Sequence, residues 1–264
     1  MKVITVFFMA WGNFLTIPCP HKVWDNDLKN NMLAFLPSIG AVVGGLWVLL
    51  IWVIRLIESY ADLPVTIPVS LGSIIAVYFL FACCGFMHLD GFMDCTDAIM
   101  SRRPLEVRQK ILKDSNVGAF AVVMVVFLML TWYAAMSSVL ENGSLAALFL
   151  IPIVSRGTSG LAVMAYKPIG HSQYKSDYEK PKGRLRGASI VQLGGYFAIA
   201  LILTATDTVA ISIPVTAVYL ATAVGAAIAG WYARRQLGGM SGDIAGYMIC
   251  WGELIGIIAL AVIG

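Results

Sequence analysis

The sequence predicts an all-α, polytopic membrane helix bundle. About seven transmembrane helices are expected, plus an N-terminal interfacial or half-membrane segment. Three observations predict this. First, 59% of the 264 residues are hydrophobic and only 12% are charged, where an ordinary soluble domain carries about 25% charge; mean hydropathy is +0.82. Second, the apolar residues gather in runs of the roughly 20 that a helix needs to cross the hydrocarbon core. Third, basic residues mark alternate connections. Such a chain is not disordered, and it could not cover its surface with polar groups as a soluble enzyme does. Residues 1–264 read as a single integral membrane catalytic domain.

In chain order, Lys2 and the apolar run Val3–Ala10 have the outline of a signal peptide. No small-x-small cleavage site follows, and the chain stays apolar through Trp11 to Ile17, so the segment is expected to be retained. The spans are expected at Leu33–Ile57, Val65–Met87, Gly118–Leu140, Leu145–Tyr166, Ala188–Thr206, Thr208–Ala233 and Ile244–Ile263. A short polar hinge, Thr204 with Thr206, Asp207 and Thr208, separates the fifth from the sixth.

Of the 18 basic residues, all but Arg55 and Arg156 lie before the first span or in the connections His88–Val117, Lys167–Gly187 and Arg234–Asp243. The intervening connections hold none. Lys and Arg stay on the cytoplasmic side, so the N-terminus and every long loop are expected there, on a cytoplasmic (inner) cell membrane. Arg55, near an outer helix end, reads as a snorkelling anchor. Arg156 lies midway along its span, where a charge is expensive and marks a functional or ion-paired position. A net charge of +3 gives no footprint for nucleic acid. The five cysteines, Cys19, Cys83, Cys84, Cys95 and Cys250, are odd in number and lack C-x-x-C spacing, which argues against a disulfide framework or a zinc site.

The segment His88-Leu89-Asp90-Gly91-Phe92-Met93-Asp94-Cys95-Thr96-Asp97 follows an apolar run directly. On a continuing helix, Asp90, Asp94 and Asp97 stand at i, i+4 and i+7 and share one narrow face. Carboxylates stacked this way repel and call for a cation. A hard divalent ion such as Mg2+ takes carboxylates together with substrate phosphates. Gly91 would let a partner helix or a phosphate approach. Asp114, in Lys113-Asp114-Ser115-Asn116-Val117-Gly118, could return to the same site. Acids at the membrane edge beside long polar loops favour chemistry on a cytoplasmic substrate. A cation-coupled transporter would place them at mid-bilayer. His88 is read as a hydrogen-bonding bystander more readily than as a base or ligand.

Before the last span, Gly238, Gly242 and Gly246 recur every four residues, which is the spacing of close helix packing. Asp243 stands where it could join the acidic site. Glu253, two to three turns deeper, could pair with Arg156. The Lys-, Pro- and Gly-rich connection Tyr166–Gly187 could cover the site, meet anionic headgroups or simply be a basic loop.

Taken together, HLDGFMDCTDA, KDSNVG, SRG, LGGMSGD and a late GE, with LTIPCP and FLPSIGAVVGG before them, resemble the cobalamin synthase family, the adenosylcobinamide-GDP ribazoletransferases. The resemblance covers most of the chain in order. It implies a polytopic membrane enzyme that joins adenosylcobinamide-GDP to α-ribazole or its 5′-phosphate, with Mg2+, releasing GMP. By the same resemblance the acidic motif falls on Asp90, Asp94 and Asp97. The Asp-Ser falls on Asp114 and Ser115, and the Ser-Arg-Gly on Ser155, Arg156 and Gly157. Gly238, Gly239, Gly242 and Asp243 carry the glycine motif, and Glu253 is the late acid. Ala98 stands where the family has Gly, Ser241 where it has Thr, Cys250 where a polar or acidic residue is common, and Thr16-Ile17 where it has Thr-Arg.

Asp90 and Asp94 are expected to hold Mg2+, with Asp97 or Asp114 completing the shell or taking the hydroxyl proton. Arg156 and Lys113 are expected to neutralise phosphate oxygens, and Ser115, Gly242, Asp243 and Glu253 to contact substrate. Lipid is the expected surrounding. Association into a homo-oligomer or with other late cobamide-pathway enzymes is left open. A CDP-alcohol phosphotransferase is the nearest competing reading, but its aspartate before Asp-Gly is Met87 here, and its Ala-Arg is Met93-Asp94.

Overall fold

The computed structural model describes residues 2–59, 67–170, 182–204 and 209–263, the side chains of 209–212 excepted. The described residues form α-helices and one long 3₁₀ segment, with no β-strand. In order these are α1 (Lys2–Phe14), the 3₁₀ segment (Asn26–Phe35), α2 (Leu36–Ser59), α3 (Val69–Ala82), α4 (Met87–Met100) and α5 (Leu105–Ile111). Then come α6 (Ala119–Val139), α7 (Leu145–Ala165), α8 (Gly183–Thr204), α9 (Val209–Leu237) and α10 (Gly242–Ile263). Among the described residues, six helices are long and apolar enough to cross a membrane, and a seventh span results if the bent pair α3–α4 counts as one. The apolar 13-residue α1 is about 20 Å long, too short to cross, as expected of a half-membrane segment. Residues 60–66, the Lys175–Lys180 stretch and the Thr206–Thr208 hinge lie outside the described residues.

α7 is the central helix. It is buried from Ala147 to Met164 along most of its faces, and α2, α8, α9 and α10 pack around it. Two glycines of α2 set the closest approach: a Cβ on Gly40 would lie 2.6 Å from Ile153 Cα, and one on Gly44 would lie 2.5 Å from Phe149 O. The glycines of the FLPSIGAVVGG run therefore let backbones touch where lipid supplies no hydrophobic drive.

The second span departs from expectation. The apolar run is expected as one span, Val65–Met87, with the aspartates on one face if its helix continues. Instead α3 stops at Ala82, and α4 leaves at 86°. Gly85 (φ 59°) and Phe86 (φ 60°) make the turn. The left-handed region is costly for a bulky residue such as Phe86. The freed carbonyls are held by the N-terminal strand of chain: Thr16 donates its N–H to Cys83 O (2.9 Å) and its hydroxyl to Ala82 O (2.7 Å). Such bonds satisfy the open end of α3. Hydropathy is blind to this break, because Cys83, Cys84 and Phe86 are all apolar.

Helix ends differ too. Arg184 and Arg186 sit in the first turn of α8, and Arg234 and Arg235 in the last turn of α9. Cations are favourable at that C-terminal end. Arg55 is more than an anchor: its guanidinium donates to Val139 O, Leu140 O and Gly143 O, capping the end of α6.

Candidate functional site

The site is built where α4 and α10 meet. A Cβ on Gly91 would lie 2.7 Å from Asp243 O and 2.9 Å from its Cα. One on Gly246 would lie 2.9 Å from His88 O. The glycines thus let the two backbones touch. Cys250 Sγ donates to His88 O at 3.3 Å, and Phe92 stacks on Tyr247 at 5.6 Å. Gly91 therefore admits a partner helix, one of the two roles expected of it. The Gly238 to Gly246 series divides. Gly246, Gly252 and Gly256 pack against neighbouring helices. Gly238, at φ 82°, ends α9: its N–H and that of Gly239 bond to Arg234 O, a left-handed C-cap. Ser241 starts α10 by accepting from Ile244 N at 3.2 Å, which Thr would do equally. A change of Gly91 to Ala would push on backbone atoms that cannot rotate away. We expect it to remove activity while circular dichroism still shows a helical protein.

This junction walls a cavity of about 320 Å³, lined by His88 and Asp90 of α4 and by Gly242, Asp243 and Gly246 of α10. Ser159 and Val163 of α7, Leu33 and Leu36, and Asn13 and Phe14 of α1 also line it. Asp90 is exposed, and Asp94 and Asp243 are half-buried. Asp90, Asp97 and Asp243 all act electrostatically on Asp94, so four carboxylates from two helices share one field. The contributions of α1 and α7 were not legible in the sequence. Asn13, Phe14 and Val163 carry no motif, and Ser159 lies inside an apolar span.

Asp97 differs from its neighbours. It is buried, and its two oxygens accept from Gly118 N (2.6 Å) and Ala121 N (3.0 Å), the open N–H groups at the start of α6. It caps that helix across space. It thereby ties the start of α6 to α4; the turn before α6 carries Lys113, Asp114 and Ser115, none of which lines the cavity. All three of these residues are exposed. Asp114 Oδ1 accepts from Asn116 N and Asn116 Nδ2, and those bonds hold its carboxyl below the usual carboxylate range.

Arg156 and Glu253 pair with each other, as their comparable depth suggested. Arg156 Nη1 donates to Glu253 Oε1 at 2.6 Å, with both side chains 2% exposed. Ser155 Oγ adds a bond to the same oxygen at 3.0 Å, and Arg156 Nη2 reaches Cys84 Sγ at 3.3 Å. Neither charged residue lines the cavity. The pair instead ties α7 to α10 and to the α3–α4 break.

Among the described residues, no three His, Cys, Asp or Glu side chains converge closely enough to ligate one ion. The hard oxygen donors Asp90, Asp94 and Asp243 fit Mg2+ in another way. That ion is commonly held by one or two carboxylates, its remaining positions going to water and substrate phosphates.

The family model described as Cobalamin-5-phosphate synthase matches residues 6–261. An adenosylcobinamide-GDP ribazoletransferase of Clostridium perfringens is 35% identical over 97% of this chain and 96% of its own. One from Clostridium botulinum is 33% identical over 95% and 94%. One from Lachnoclostridium phytofermentans is 30% identical over 99% and 95%. No solved structure matches the chain. The match runs through every helix that builds the α4–α10 cavity, and the chain belongs to the Cobalamin-5-phosphate synthase family, as a membrane-helix transferase of cobalamin biosynthesis.

Proposed function

We propose that the protein transfers adenosylcobinamide phosphate from adenosylcobinamide-GDP to α-ribazole or its 5′-phosphate, with Mg2+, in the α4–α10 cavity. The observation that carries this reading is the meeting of Asp90 and Asp243, from two helices locked at Gly91 and Gly246, in one cavity, with Asp94 outside its lining but in the field of both. The basic ends of the helices face the cytoplasm, since Lys and Arg are retained there.

In the reaction, a ribose hydroxyl of the ribazole substrate forms a P–O bond to the phosphorus that carries adenosylcobinamide. The diphosphate P–O bond breaks, and GMP leaves with that oxygen. Such transfer depends on positioning and charge stabilisation more than on covalent catalysis. Bound Mg2+ supplies neutralisation of the diphosphate. Asp90 and Asp94 would hold that ion, and Asp243, which lines the cavity from α10, would receive the hydroxyl proton. Lys113, on the exposed turn before α6 and outside the cavity lining, would neutralise phosphate oxygens of the bound substrate. Asp97 itself acts as a positioning residue, because both its oxygens are engaged by α6. Arg156 and Glu253 likewise position α7 against α10 rather than touch substrate. Asp97→Asn exchanges one accepting oxygen for a donor. It should loosen α6 and lower the thermal transition, an effect not expected from Asp90→Asn.

The test is direct. Purified protein given adenosylcobinamide-GDP, α-ribazole and Mg2+ should release GMP and form adenosylcobalamin. No GMP release, with a CDP-alcohol turning over instead, would replace this reading by phospholipid synthesis. Failure with both, together with substrate-coupled ion flux in liposomes, would replace it by transport.

A further inference from the structure

A second cavity, of about 770 Å³, opens toward the far end of α4, where α4, α5, α6 and α9 meet. It shares no lining residue with the acidic cavity. Arg102, Arg103 and Arg108 line it together with Met100, Phe120 and Tyr232, and among the described residues no carboxylate stands in its wall. The arginines are placed by the fold. Arg102 is held at φ 53°, in the left-handed region that bulky residues seldom enter. Arg108 Nη1 donates to Gln236 Oε1 of α9, while its Nε is buried without an acceptor among the described residues. Gathered guanidiniums with unused donors match phosphate oxygens, which they grip in a bidentate way.

The rest of the cavity decides which phosphate. Met100, Phe120 and Tyr232 are 39%, 45% and 41% exposed, and Phe120 heads a stripe on α6 that continues through exposed Val123, Phe127 and Leu130. These stand at i, i+3, i+7 and i+10, one face of the helix. A soluble anion has no use for such a track; a lipid needs both the cationic head site and the apolar track. We propose that this cavity holds the headgroup of an anionic phospholipid, its acyl chains lying along the exposed face of α6. The site is separate from the transferase chemistry and does not rest on it.

Native mass spectrometry of the whole protein, released from micelles holding equal phosphatidylglycerol and phosphatidylcholine, tests this. Retention of phosphatidylglycerol over phosphatidylcholine is expected. The exposed double variant Arg102→Gln/Arg103→Gln should lower that retention about fivefold or more. Arg184→Gln/Arg186→Gln, which removes the same charge from exposed positions at the start of α8, should leave it unchanged, and excess inorganic pyrophosphate should not displace the lipid. Equal loss in both double variants would show diffuse attraction and overturn the proposal. So would equal retention of the two lipids. Displacement by pyrophosphate would make the cavity a soluble-anion site and also overturn it.

Discussion

Asp94→Asn should lower GMP release by about 1,000-fold and leave the protein as stable as before, or more so. The substitution keeps the shape of the side chain and removes its charge. Asp94 sits in the field of Asp90, Asp97 and Asp243, and its neighbours on α4 are buried apolar residues such as Phe92 and Cys95. Packed like charges at a membrane edge destabilise the fold, so neutralising one relieves repulsion. A charge-stabilising group at a reacting phosphoryl centre is commonly worth about 100- to 1,000-fold in rate, and a metal-holding carboxylate lies at the upper end. Loss of rate with no loss of stability is the signature of a functional acid. Thermal unfolding in detergent and GMP release, measured on the same preparation, give both numbers. Near-normal turnover would mean that Asp94 holds no ion in the reaction.

Glu253→Leu should have the opposite character: it should destabilise first and inactivate as a consequence. It leaves the Arg156 guanidinium 2% exposed with its carboxylate partner gone. Breaking a buried pair from one side costs about 3–5 kcal/mol, whereas replacing both partners with apolar residues is often neutral. The double variant Arg156→Met/Glu253→Leu should therefore recover most of the lost thermal stability, and much of the activity with it. A double variant as stable as the original protein but fully inactive would place the pair in contact with substrate. That outcome would restore the role first expected of Arg156 and Glu253 from their position in the sequence.

The contrast between these variants shows what the sequence could and could not convey. Spans were legible because lipid demands long apolar runs. The break at Cys83–Phe86 was not legible, since its cause is backbone conformation at Gly85 and Phe86 and two bonds from Thr16, far away in sequence. The acidic register was legible from spacing alone, and α4 does carry Asp90, Asp94 and Asp97 on successive turns. Spacing could not tell that Asp97 is turned to the start of α6 while Asp90 faces the cavity. That division depends on which helices pack on α4. The Arg156–Glu253 pairing was legible because two charges at equal depth in an apolar bundle have few other partners. Arg55 was legible only as a charge near a helix end; its three carbonyl acceptors come from the end of α6.

The proposed chemistry requires the diphosphate and its ion to lie between α4 and α10. Electron cryomicroscopy of the protein with adenosylcobinamide-GDP and Mg2+ tests that most directly. The predicted result is density for the diphosphate in the cavity bounded by Asp90, Gly242 and Asp243, with an ion at the carboxylates of Asp90 and Asp94. Diphosphate density among Arg102, Arg103 and Arg108, with the α4–α10 cavity empty, would contradict it.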